Sequence, residues 1–91
     1  MDLLTSGNTR KEFEQRAIIV IKKQIDEFSI QDIYNAMLLE CDGSVAHDFI
    51  ADIITNAIDF CLNTGIAEFV AINTFQVNPM LEELTEEVSV D

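Results

Sequence analysis

The single histidine, His47, stands directly before Asp48, and a His–Asp pair is a common element of general-base chemistry. Neighbouring residues on a helix do not face each other, so this pair supplies no base held by an orienting carboxylate. His47 reads instead as a boundary or surface side chain. Cys41 and Cys61 lack zinc-site spacing and have no basic neighbour to hold a thiolate. Cys61 falls on the apolar side of a helical pattern, where a free thiol packs as a small hydrophobe. No Gly-rich phosphate loop, G-x-S-x-G or H-E-x-x-H is present. The chain is therefore read as non-enzymatic, with no catalytic residue, no cofactor and no metal site.

The carboxylates carry more information. On a helix, Asp48, Asp52 and Asp59 share a sector of roughly 100° with Thr55, Asn56 and Asn63. They are oxygen ligands on one ridge, but no calcium-loop pattern accompanies them. Their other chemistry is electrostatic, and the charge distribution favours it. All five basic residues (Arg10, Lys11, Arg16, Lys22, Lys23) lie among the first 23 positions, and residues 24–91 carry 14 acids and no Lys or Arg. A net charge of −12 on 91 residues repels nucleic acid and anionic membrane and attracts basic protein surfaces. A merely solubilising surface usually mixes the two signs. The expected partner-binding residues are Asp48, Asp52 and Asp59, with Glu68 next. The basic residues of the first helix alternate with Glu12, Glu14, Asp26 and Glu27 and read as a solvated face.

These residues need elements to position them. Residues 1–8 read as a flexible leader. Thr9 to Glu12 fits a capping box, and Phe13, Ala17, Val20, Ile21, Ile25 and Phe28 recur at helical spacing, predicting a helix over about 10–28. Ser29 caps a second helix with Ile30, Ile33, Tyr34, Met37, Leu38 and Cys41 on one face, ending near Asp42-Gly43. Ser44 is the expected cap of a third helix over about 45–64, closed by Gly65. Its apolar residues span roughly 200°, more than the surface helix of a small monomer needs. Residues 66–77 are rich in strand formers and predict a hairpin, with a continued helix as the competing reading. Asn78-Pro79 starts a short acidic helix or tail over 78–91, with Met80, Leu81, Leu84 and Val88 on its apolar side.

Helix, short helix, longer helix and then "NTGIAEFVAINTFQV" resembles a winged-helix domain in element order. The resemblance covers about residues 10–77, without a diagnostic motif. It implies a mostly α fold with a small β-hairpin (α+β): a winged-helix-like three-helix core over 9–77 plus a short C-terminal helix. The third helix would be the one that reads DNA, yet its exposed side carries Asp48, Asp52 and Asp59 rather than Arg, Lys, Asn or Gln. The fold is carried over and the family's usual ligand is not.

The expected function is an acidic protein-binding module. It would occupy the basic surface of a nucleic-acid-handling protein, in the manner of a phage-type inhibitor or DNA mimic. A dimeric winged-helix DNA-binding regulator and a structural subunit of a larger assembly are the alternatives. Ile54, Ile58 and Leu62, on the edge of the third helix least needed by a three-helix core, predict a homodimer interface. The chain is 48% apolar, too hydrophobic to stay disordered. No apolar run reaches membrane-spanning length, the first residues do not read as a signal peptide, and cysteine usage fits a reducing cytoplasm.

Overall fold

A computed structural model of the chain describes residues 3–78. Three helices, α1 (Arg10–Lys22), α2 (Ile30–Leu39) and α3 (His47–Thr64), are followed by an antiparallel hairpin of β1 (Ala67–Ala71) and β2 (Thr74–Val77). This mostly helical α+β arrangement has the element order expected from the sequence. The expected helix over 78–91 lies outside the described residues.

The helix starts follow local chemistry. The Thr9 hydroxyl accepts from the Glu12 amide while the Glu12 carboxylate accepts from the Thr9 amide, so two otherwise orphaned donors are satisfied. Ser29 and Asp32 repeat the device on α2. The start of α3 departs from expectation. Its cap position is Ala46, with no side-chain cap bond. Ser44 is engaged elsewhere: its amide and hydroxyl both donate to Asp42 Oδ1, and its hydroxyl accepts from the Ser6 amide. The far end of α3 is as expected, with Gly65 in the left-handed region at φ 82°.

α1 stops at Lys22, six residues short of the expected end. Ile25 is 91% exposed, so the apolar stripe ends at Ile21. Phe28 is buried, but as an extended residue. Its amide donates to the Phe75 carbonyl and its carbonyl accepts from the Phe75 amide, each at 2.8 Å, and the two rings lie 5.9 Å apart. Pairing with β2 therefore takes Phe28 out of the helix.

The leader expectation also fails over residues 3–8. Leu4 is buried, its amide donates to the Glu40 carbonyl, and its carbonyl accepts from the Asp42 amide. Thr5 to Asn8 then closes a local turn through the Asn8 side chain. An apolar side chain in the core and two backbone bonds offset the entropy of fixing this segment.

α3 is the central element, packing on α1, α2 and β1. Ile50, Ile53, Ile54, Ala57, Ile58 and Cys61 are all buried in the core with Phe13, Ala17 and Ile21 of α1 and Ile33 and Met37 of α2. That accounts for the wide apolar arc and overturns the expected dimer strip. Ile54 and Ile58 are 0% and 4% exposed within one chain and leave no surface for a second copy. Leu62 is partly buried against the same core.

Candidate functional site

Three of the four expected docking carboxylates lie on α3, and the hairpin holds the fourth. Asp48 is in the first turn of α3, where the helix dipole favours an acid. Asp52 and Asp59 follow on the same exposed side, and Glu68 is exposed on β1 opposite Gln76. Asp48, Asp59 and Glu68 make no ion pair or side-chain hydrogen bond among the described residues.

Asp52 differs. Arg10 Nη2 lies 2.6 Å from Asp52 Oδ2, and Arg10 Nε lies 3.4 Å from Glu14 Oε2. The Arg10 guanidinium also stands 5.8 Å from the centre of the Phe49 ring, which meets Phe13 edge-on at 5.0 Å. The hydrogen bond to Asp52, helped by both nearby carboxylates, holds Arg10 more firmly protonated than usual. The ridge is thus not wholly anionic. Its middle carboxylate is paired by a cation from α1, a contact no α3 pattern contains. Lys11 also borders the α1–α3 groove, with Ile18, Asn56, Ala57 and Phe60.

The remaining charges of α1 are also rearranged. Arg16 reaches across to Glu40 at 3.0 Å, while Glu12 is used by the cap and by Asn8. The bond from the Thr9 amide, with help from Asn8, holds the Glu12 carboxyl below the usual carboxylate range. The Ser44 hydroxyl and amide do the same for Asp42.

The residues weighed for catalysis are dispersed in role. His47 is exposed and meets Tyr34 edge-on at 6.1 Å. Cys41 and Cys61 are free and buried, and burial pushes both thiols up, away from the nucleophilic thiolate. Among the described residues, no three His, Cys, Asp or Glu side chains gather as a metal site requires, and no helix is long and apolar enough to cross a membrane.

The hairpin presents a feature that the sequence reading passed over. Phe69, Val70 and Ile72 are exposed, although their run resembles a buried strand. The available signal was the lack of polar alternation from Phe69 to Ile72, which marks apolar residues on more than one side of the strand.

Compared with known proteins, the chain matches no protein family, no curated protein and no solved structure.

Proposed function

We propose that this chain is a non-enzymatic acidic module that docks on a basic surface of a protein that handles nucleic acid. The observation that carries the reading is the exposure of Asp48, Asp59 and Glu68 without cationic partners among the described residues, in a stretch from residue 24 to 78 that contains no Lys or Arg. Asp48 and Asp59 offer charge along α3, and Glu68 extends it onto the hairpin. Asp52 takes part only by exchanging Arg10 for a partner's cation. Complementary fields of this kind speed encounter and make it sensitive to salt. Occupying a site that normally receives phosphates would block or modulate the partner.

The test is capture from the native source at low salt by the wild type and by an Asp48→Lys/Asp59→Lys double variant. The expected captured protein is rich in surface Lys and Arg and is lost with the double variant or with added salt. Unchanged capture by the double variant at low salt removes the α3 ridge as the docking surface. Asp52→Lys is unsuited to this test, because it sets a cation against Arg10 and perturbs the fold as well as the surface.

A second reading, direct DNA binding, rests on Lys22 and Lys23, which are exposed at the end of α1 and make no ion pair among the described residues. Gel shift on mixed duplex DNA separates the two. Tight binding weakened by Lys22→Glu/Lys23→Glu would favour DNA as the ligand.

A further inference from the structure

β1 is an outer strand. β2 pairs with β1 on one side, while on the other Phe28 bridges to Phe75. Among the described residues, Ala67–Ala71 make no backbone hydrogen bond beyond the β1–β2 ladder. Among the described residues, the N–H and C=O groups on the outer side of β1 have no backbone partner, and such groups template a further strand. Proteins commonly blunt such an edge with Lys or Pro. This strand has neither, and only Glu68 and the register shift between Phe69 and Ala71 blunt it.

The side chains beside the edge are apolar and wet. Phe69 is 66% exposed, Val70 41% and Ile72 91%. Phe69 is steadied by the Phe75 ring at 5.0 Å, so part of this apolar surface is held in place before any partner arrives. Glu68 is the one charged residue of the hairpin, and it makes no ion pair among the described residues. Phe69 shares a face with Ala67 and Phe75, Val70 follows on the other face, and Ile72 sits in the turn, so exposed apolar side chains flank the edge on both sides of the hairpin.

We infer that the open edge of β1 accepts an extended segment of a partner protein, one in which apolar residues alternate with Lys or Arg, added as a further strand. The inference rests on the basic partner proposed above and names the form in which that partner is held. The unpaired backbone asks for a strand rather than a helix, Phe69 on one face asks for apolar side chains, and Glu68 on the other asks for a cation, which is the alternation named. A second copy of this chain is a poorer occupant. Pairing β1 with β1 brings two Glu68 carboxylates onto one short ladder, between chains that each carry −12.

The test uses the isotope-labelled full chain and a short capped peptide alternating Lys and Val. Binding is expected to shift the amide signals of Ala67–Ala71 and slow their hydrogen exchange. A peptide of equal charge with Pro in place of the central Val residues cannot donate to the ladder, and is expected to bind about tenfold or more weakly. Glu68→Lys is expected to weaken the Lys–Val peptide while leaving the helix signals unmoved.

Equal binding of the Pro peptide overturns the inference. So do shifts confined to Asp48 and Asp59 with β1 unmoved, a result that leaves acidic docking standing. So does self-association by sedimentation that Ile72→Lys abolishes, because the occupant is then a second copy. Conversely, strand protection by the peptide combined with unchanged partner capture by Asp48→Lys/Asp59→Lys supports the edge and removes the α3 ridge.

Discussion

The Arg10 guanidinium closes on the Asp52 carboxylate at 2.6 Å, tying the first turn of α1 to the second turn of α3. The same guanidinium meets Glu14 and faces Phe49, so one exposed cation gathers two acids and a ring. Water screens such a pair, and its contribution to stability is small. Asp52→Asn is expected to lower the melting temperature by at most a few degrees, roughly within 5 °C. Asp52→Lys is expected to lower it further, with the gap between the variants closing as salt screens the new repulsion. Thermal melts at low and high salt read both effects.

Ile54 and Ile58 belong to the core of a single chain. Truncating a fully buried Ile leaves a cavity, and Ile54→Ala is expected to cost about 2–5 kcal/mol in denaturant unfolding. Ile58→Glu buries a carboxylate without a partner and is expected to unfold the chain rather than split a dimer. Far-UV circular dichroism decides between the two: a folded, monomeric Ile58→Glu would restore a surface role for that side chain.

Gly65 ends α3 at φ 82°, and a Cβ there would meet no heavy atom within 4 Å. The cost of a substitution is therefore conformational rather than steric crowding. Gly65→Ala is expected to destabilise by about 1 kcal/mol, and Gly65→Asn by less, because Asn tolerates the left-handed region. Asn73 already does so at the hairpin turn, with φ 57°. Denaturant midpoints of the three proteins check the order.

Cys61 is fully buried, and burial raises its thiol above the usual range, with nearby Lys22 opposing weakly. A thiol-modifying reagent is expected to react slowly with the native chain near neutral pH and rapidly in denaturant. The folded thiol holds its proton more tightly than the unfolded one. Its contribution to stability is thus complete below the unfolded thiol value of about 8.5 and is lost as pH rises from there through the folded value. Wild type is expected to lose stability faster than Cys61→Ala between pH 7.5 and 9.5, as read by denaturant midpoints. Parallel loss in the two proteins would assign the alkaline effect to other groups.

Features set within a turn or two of chain can be read from the amino-acid order alone. The capping box at Thr9, the cap at Ser29, the helical faces of Phe13 to Ile21 and Ile33 to Met37, the glycine stop at Gly65 and the hairpin after it were legible, because each depends on neighbours at fixed short spacing. The exposure of Asp48, Asp59 and Glu68 was legible for the same reason, since periodicity sets which side of an element a residue occupies. What joins distant segments was not. The end of α1 depended on Phe28 pairing with Phe75, and the order of residues 3–8 depended on Leu4 pairing beside Cys41. Burial of Ile54 and Ile58 depended on α3 lying between its neighbours, and pairing of Asp52 depended on the approach of α1. Periodicity fixes a residue's direction from its own axis, and only the packing of the other elements decides whether core, cation or water waits there.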